Sequence, residues 1–194
     1  SMKGCEPIHI QYNPVSGKVE IVNSSRVDLK MLWAITSIYD MKGECVSDYS
    51  AIVNAQADST IENIEIVKPE GMEPYFIYLC LKNQSGHIYS ENLYMVPGEN
   101  GLEELRELPA AELQSKTVVK DNAVYFAVRN SGKVPALMMR LTLKDGDGKE
   151  VLPAYYSDNY FSLMPGKEKM VSIVWDEDIT VTNPSITIKQ LQEY

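Results

Sequence analysis

The chain has 194 residues, of which 44% are hydrophobic and 23% are charged, and its net charge is −9 at pH 7. These values are ordinary for a globular protein and exclude a disordered or fibrous chain. Acidic residues outnumber basic ones in both halves, which excludes nucleic acids and anionic membranes as partners. No apolar run approaches the ~20 residues that a membrane-spanning helix needs.

The first predicted strands show alternation of apolar and polar side chains. Apolar residues occupy alternate positions of one such run, which gives a strand one apolar face and gives a helix none: Leu29, Met31, Trp33 and Ile35. Turn residues at 13–17, 42–43 and 83–86 separate these runs. About seven strands are predicted in this part of the chain.

The same alternation returns in the second half of the chain. Val124, Phe126 and Val128 form one apolar side of a strand, and Ile186 and Ile188 form one side of another. A turn rich in Asp and Gly at residues 145–148 separates two of about six predicted strands. Short strands at this spacing predict an all-β fold built from immunoglobulin-like β-sandwiches.

The two halves also resemble each other. Asn23-Ser24 ends one predicted strand and Asn130-Ser131 ends another, roughly 100 residues further on, which is the size of one sandwich. A long strand, a turn and a further strand follow in both cases. We therefore predict two tandem domains, with a sandwich over residues 1–96, a linker over 97–116 and a sandwich over 117–194.

The predicted linker contains leucines at helical spacing. Leu102, Leu105 and Leu108 fit one face of a short helix that Pro109 would end. A helix that binds a partner is one interpretation. We favour a linker turn packed against a neighbouring sandwich, because helices this short are marginal on their own.

Residues typical of catalysis or metal binding are sparse. His9 and His87 have no His, Cys or carboxylate at metal-ligand spacing, and no nucleophile or phosphate-binding motif occurs. The acidic turn at 145–148 lacks the remaining ligands of a calcium loop and is predicted to be a hairpin turn. We therefore expect no catalytic residue, no metal and no cofactor.

The three cysteines are Cys5, Cys45 and Cys80, an odd number without paired spacing. Cys80 lies in an apolar run and is predicted to be a buried thiol. A disulfide between Cys45 and Cys80 is the alternative.

Aromatic side chains are the remaining binding candidates, because flat rings stack on the apolar faces of sugars. Tyr155, Tyr156 and Trp175 are the candidate stacking residues. Tyrosines in sandwiches also fill cores, and composition alone favours that structural role.

The run Leu-Pro-Ala-Tyr-Tyr-Ser-Asp-Asn-Tyr-Phe-Ser-Leu-Met-Pro-Gly at residues 152–166 resembles the last immunoglobulin-like domain of family 2 glycoside hydrolases. The similarity is to the β-mannosidase and exo-β-glucosaminidase branch, and residues 130–136 share it. Residues 7–14 and 90–94 resemble the penultimate domain of the same enzymes. Lys167 departs from the Glu usual after this Pro-Gly.

The resemblance implies a longer parent enzyme, bacterial and periplasmic or secreted, with a sugar-binding sandwich, a further immunoglobulin-like domain and a (β/α)₈ barrel. Catalysis in that family is retaining and uses two glutamates of the barrel. A barrel needs about 250 residues and alternating helices, which this chain does not have. The partner implied for this chain is therefore the rest of the parent enzyme, with carbohydrate as a further candidate.

Three functions remain in view. The first is a non-catalytic accessory tandem that braces the barrel, with Asp158, Asn159 and Tyr160 shaping a loop near the substrate cleft. The second is a carbohydrate-binding module. The third is a free-standing surface or adhesion protein.

Overall fold

The computed structural model describes residues 7–64, 66–67, 69–99, 101 and 103–193. Two positions named above, Cys5 and Leu102, lie outside the described residues. The described part of the chain forms two compact units, one up to residue 101 and the other from residue 103. Each unit contains seven strands among its described residues and has its own hydrophobic core.

The first unit is a sandwich of two antiparallel sheets. Its strands are β1 (Ile8–Asn13), β2 (Lys18–Asn23), β3 (Leu29–Tyr39), β4 (Cys45–Ala55), β5 (Ser59–Ile64), β6 (Tyr75–Lys82) and β7 (Ile88–Val96). One sheet has the order β1-β2-β5 and the other β4-β3-β6-β7. Their facing sides form a core that includes Ile10, Ile21 and Leu79. Full burial of each such side chain contributes about 1.5–3 kcal/mol.

The second unit repeats this architecture. Its elements are α1 (Glu103–Arg106), β8 (Leu113–Lys120), β9 (Ala123–Asn130), β10 (Ala136–Lys144), β11 (Ala154–Tyr156), β12 (Phe161–Leu163), β13 (Glu168–Trp175), β14 (Ser185–Lys189) and a 3-10 helix (Leu191–Glu193). The sheets have the orders β11-β13-β9-β8 and β12-β10-β14. Phe126, Leu141 and Ile173 lie in the core between them. The predicted all-β fold of two tandem immunoglobulin-like sandwiches is confirmed.

The repeat extends to strand pairing and turn chemistry. In the first unit β2 pairs with β1 and β5, and in the second β9 pairs with β8 and β13. The hairpin after β3 is closed by Asp40, whose carboxylate accepts the N–H groups of Lys42 and Glu44. Asp145 closes the hairpin after β10 in the same way. The acidic run at 145–148 is thus a hairpin turn in this structure.

The inward face of β3 differs from the prediction. The pairing of β3 with β4 shifts register between Leu29 and Leu32, which is a β-bulge. Leu32 and Ala34 therefore enter the core, while Trp33 and Ile35 are half-buried on the other side of the sheet. Because side chains alternate, one extra residue in a strand exchanges the two faces beyond it.

The predicted linker is partly structured in the second unit. Leu105 of α1 is buried, and the N–H of Leu108 donates to its carbonyl. Ala111 exchanges two hydrogen bonds with the buried side chain of Gln190, at 2.9 and 3.0 Å. Strand β8 then begins at Leu113, before the start predicted for the second sandwich.

Among the described residues, Cys45 is exposed and Cys80 is buried, and both are thiols. The alternative disulfide between them is not formed. The helices of this part of the chain are too short and too polar to cross a membrane.

Candidate functional site

The segment Ala154–Leu163 carries most of the candidate site residues and follows a route that the first unit does not show. It pairs with β13 as β11, then returns to β10 as β12, and so crosses between the two sheets. In the first unit the strand at this place, β4, stays paired with β3 along its length. We call Ala154–Leu163 the crossing segment.

Two side chains of the crossing segment complete the edge of β10. Asn159 accepts the N–H of Leu141 at 2.9 Å and donates to the carbonyl of the same residue at 3.1 Å. The hydroxyl of Tyr156 accepts the N–H of Leu143 at 2.8 Å. Strand β14 pairs with this part of β10 on one side, and on the other side β12 ends at Phe161, opposite Met139. These two side chains therefore continue the hydrogen bonding of β10 beyond β12.

Asp158 is fixed by an ion pair. Its Oδ2 lies 2.6 Å from Nζ of Lys169 on β13, and both side chains are less than one fifth exposed. The same ammonium group lies 5.2 Å from the ring centroid of Phe161, within cation–π range. Asp158 is therefore committed to holding the crossing segment against β13.

Tyr160 has a left-handed backbone conformation. Its φ is 63°, in the left-handed region that bulky residues rarely adopt. Its N–H donates to the side chain of Asn159 at 3.0 Å, and its side chain is 61% exposed. An aromatic ring is thus presented to solvent from a conformation that costs about 1–3 kcal/mol, a pattern common where backbone strain serves function.

The three candidate stacking residues have different environments. Tyr155 lies on β11 and is 57% exposed, so one face of its ring is open. Tyr156 packs against the core, and burial raises the pKa of its hydroxyl above the ordinary value. Trp175 is 4% exposed and belongs to the core. Its ring has no free face for a sugar, which removes Trp175 from the stacking candidates.

The two histidines considered for metal binding belong to the first unit. His9 lies on β1, and His87 follows a turn and packs edge-on against Tyr89. Among the described residues, no group of three His, Cys, Asp or Glu side chains is arranged to hold a metal ion.

Sequence reasoning did not identify Lys169 or the exposed apolar residues on the outer face of the β11-β13-β9-β8 sheet. The ion pair of Lys169 could not be inferred from sequence, because its partner Asp158 lies in the crossing segment and not on β13. The outer face did give a sequence signal. The positions that alternate with Val124, Phe126 and Val128 include Tyr125, an exposed aromatic residue where a sandwich usually has a polar one.

Comparisons with known proteins agree with the sandwich architecture. A family described as the Ig-fold domain of exo-beta-D-glucosaminidase matches residues 92–191. An exo-beta-D-glucosaminidase of Streptomyces avermitilis is 26% identical over 203 residues, which cover 89% of this chain. One of Hypocrea virens is 26% identical over 208 residues, which cover 87% of it. The chain spans 22% of the length of each of these relatives.

A solved structure shows the same fold. The crystal structure of an exo-chitosanase of Amycolatopsis orientalis superposes with a TM-score of 0.82 at 21% identity, covering 98% of this chain and 26% of that one. At this identity the superposition concerns the fold alone. The match over residues 92–191, more than half of the chain, identifies the family. The chain belongs to the family of exo-β-D-glucosaminidase immunoglobulin-fold domains.

Proposed function

We propose that this chain is a non-catalytic accessory tandem of a longer glycoside hydrolase of the exo-β-D-glucosaminidase type. The observation that carries the proposal is the family match together with the length of the relatives, of which this chain spans 22%. Of the two branches suggested by sequence resemblance, the relatives are named for glucosaminidase activity. We therefore favour that branch over β-mannosidase.

The chemistry of the crossing segment supports an accessory role. A retaining glycosidase needs two carboxyl groups about 5 Å apart, one of which exchanges a proton with the leaving group. Asp158 is the one carboxylate of the crossing segment, and it is held by Lys169 at 2.6 Å. It holds the crossing segment to β13 and has no second carboxyl group beside it in that segment. Catalysis is therefore assigned to the remainder of the longer protein.

Within this proposal, Tyr160 is the residue that borders the substrate entrance. Asn159 is hydrogen-bonded to β10, and Asp158 forms an ion pair with Lys169 of β13. The backbone that carries the exposed ring of Tyr160 is therefore held in place. A rigid exposed aromatic side chain can contact a sugar face at small entropic cost. Asp158 and Asn159 then act as positioning residues and Tyr160 as the contact.

The test begins with the size of the gene product. An immunoblot of source cells with antiserum against this chain should give a band well above 21.8 kDa, at least about 49 kDa if one ~250-residue barrel is present. The full-length protein should then release nitrophenol from nitrophenyl β-D-glucosaminide. A band at the size of this chain would overturn the proposal in favour of a free-standing surface or binding protein.

A carbohydrate-binding module is the second candidate, and the exposure of Tyr155 is the observation that favours it. Calorimetric titration of the chain with glucosamine oligosaccharides tests it, because the buried Trp175 is a poor fluorescence reporter of surface binding. Heat of binding that is lost in Tyr155→Ala would support this second function. A flat titration would leave the accessory role.

A further inference from the structure

The outer face of the β11-β13-β9-β8 sheet carries a cluster of exposed apolar side chains. Five of its large side chains are between 41% and 68% exposed: Val118, Tyr125, Tyr155, Met170 and Val174. Strand register groups them on one face, because Tyr155 pairs with Val174 and Tyr125 pairs with Val118, and Ser172 lies between Val174 and Met170. We call these five residues the outer patch. Clusters of exposed apolar side chains mark interaction sites in soluble proteins.

The fold does not require an apolar surface at this place. The equivalent sheet of the first unit, β1-β2-β5, has a polar outer face that includes His9, Gln11, Lys18, Glu20 and Thr60. Gln11 donates to the carboxylate of Glu20 across this face at 3.0 Å. The equivalent strands of the two units, β1-β2-β5 and β8-β9-β13, thus carry different outer surfaces, and the second unit adds β11 at one edge. The outer patch is therefore a feature of the second unit alone.

The border of the outer patch is basic. Three basic residues lie on this face of β8 and β9: Lys116, Lys120 and Arg129. One acidic residue, Glu168 of β13, pairs with Arg129. This excess of positive charge occurs in a chain with a net charge of −9. The complementary surface is therefore apolar at its centre with Asp and Glu around it, as electrostatic matching across interfaces predicts.

We propose that the outer patch docks onto the remainder of the longer polypeptide, at an apolar surface bordered by acidic residues. This inference rests on the proposed function, because the relatives extend far beyond this chain, which spans 22% of their length. An occupant on the same polypeptide is always present at high effective concentration, so the exposed apolar surface of the chain would be covered in the parent.

Two other occupants fit the outer patch less well. A sugar site needs convergent hydrogen-bonding groups around its aromatic rings. Between Tyr155 and Tyr125 the face carries Val174, Ala123 and Ser172, so a single hydroxyl is the polar group there. A second copy of the chain is disfavoured because a symmetric contact brings the same patch of both copies together and so crowds their basic borders.

Cysteine labelling tests the inference. Met170→Cys is made both in this chain and in the longer gene product, and the maleimide labelling rate at position 170 is read by mass spectrometry of its peptide. We expect labelling to be slower by about tenfold or more in the longer protein, since a docked interface excludes reagent. Thr60→Cys, exposed on the polar outer face of the first unit, is the matched control and should change by less than about twofold.

The outcomes separate this inference from the proposed function. A gene product no longer than this chain overturns both. A longer product in which position 170 labels as fast as in the isolated chain, or in which positions 60 and 170 slow equally, overturns the docking inference alone. Dimerisation of the isolated chain that Met170→Lys abolishes, or sugar binding that Tyr125→Ala abolishes, would replace the proposed occupant.

A second measurement does not depend on labelling. Val118→Lys combined with Met170→Lys places charge in the outer patch at two exposed positions. The isolated chain should keep its melting temperature, which shows that folding is intact. The longer protein should lose stability or become susceptible to proteolysis around this unit. An unchanged longer protein would count against docking through this face.

Discussion

Asn23 and Asn130 occupy the same position in the two sandwiches and make the same hydrogen bonds. Each ends the second strand of its unit and is almost fully buried. The amide nitrogen of each donates to the carbonyl of a valine four residues further on, at 3.0 Å in the first unit and 2.8 Å in the second. It also donates to the carbonyl of a distant residue, Ala55 in the first unit and Leu163 in the second.

The buried asparagines therefore join the end of one sheet to a strand of the other. The side-chain oxygen of each accepts a backbone N–H two residues further on, so every bond needs the planar amide in one orientation. The bonds to Ala55 and Leu163 are buried. This explains why Asn recurs at both places, and the serine that follows each Asn donates its hydroxyl to a further carbonyl, of Pro7 in the first unit and of Glu112 in the second.

We predict that Asn23→Ala and Asn130→Ala each destabilise their own unit by about 2–4 kcal/mol, because buried carbonyl groups lose their donor. The chain has two tryptophans, Trp33 in the first unit and Trp175 in the second. Urea unfolding followed by fluorescence in Trp175→Phe and Trp33→Phe backgrounds reports each unit separately.

Gln84→Ala, which removes a side-chain amide from an exposed turn position, is the control and should cost less than about 0.5 kcal/mol. If Asn130→Ala cost no more than this control, the proposed role of the buried amide would be wrong.

We predict that Lys169→Met destabilises the second unit by about 1–3 kcal/mol, because the carboxylate of Asp158 is left in a largely buried place without its cation. The double variant with Asp158→Asn should recover part of this loss. The exposed pair Arg140–Glu150, at 3.5 Å, supplies the control. Arg140→Met should cost below about 1 kcal/mol because water screens this pair. Equal losses for the two cations would contradict the prediction.

We predict that the chain loses stability steeply above about pH 10, and that Tyr78→Phe makes this loss less steep. Burial, reinforced by the hydrogen bond that its hydroxyl donates to Glu91 at 2.5 Å, raises the pKa of Tyr78 above the ordinary value of about 10. Above pH 10 the unfolded chain therefore releases a proton that the folded chain keeps. Stability is fully present below the unfolded pKa and falls with rising pH, by up to about 1.4 kcal/mol per pH unit for each such group.

The measurement is urea unfolding between pH 8 and about 11.5, a range that spans the tyrosine titration. Burial also raises the pKa of Tyr39, Tyr94 and Tyr156, so Tyr78→Phe should reduce the alkaline slope and not abolish it. An unchanged slope in Tyr78→Phe would contradict the assignment.

The fold class could be predicted from sequence because alternation and turn residues are local signals. The hairpin at 145–148 and the repeat of Asn-Ser were both visible in this way. The side chains of β3 that face the core could not be predicted in this way. The bulge depends on pairing with β4, and it moves Trp33 and Ile35 to the face opposite the core. Trp175 could have been placed correctly, since it continues the buried alternation of Val171 and Ile173.

The candidate site was harder to predict for a related reason. The sequence run at residues 152–166 pointed to the correct segment through resemblance, but its route between two sheets is a tertiary property. Asn159 and Tyr156 act on the backbone of β10, and Asp158 acts on Lys169 of β13. No spacing rule relates these partners, because they meet only after both sheets have formed.

We predict that Tyr160→Gly leaves the stability of the chain unchanged or raises it by up to about 1 kcal/mol, because glycine adopts a φ of 63° without strain. In the longer protein the same substitution should raise KM for glucosamine oligosaccharides several-fold with little change in kcat, since the proposed role of the ring is contact with substrate and not chemistry.

Asp121→Gly is the matched control, because Asp121 also has a positive φ, of 52°, and lies in an exposed turn that is not part of the crossing segment. It should relieve similar backbone strain without any effect on KM. A stabilised Tyr160→Gly variant with unchanged KM would show that the strain at Tyr160 serves the route of the chain alone. A raised KM in that variant, with Asp121→Gly unchanged, would assign the exposed ring to the substrate entrance, because both variants remove strain and one of them removes the aromatic contact.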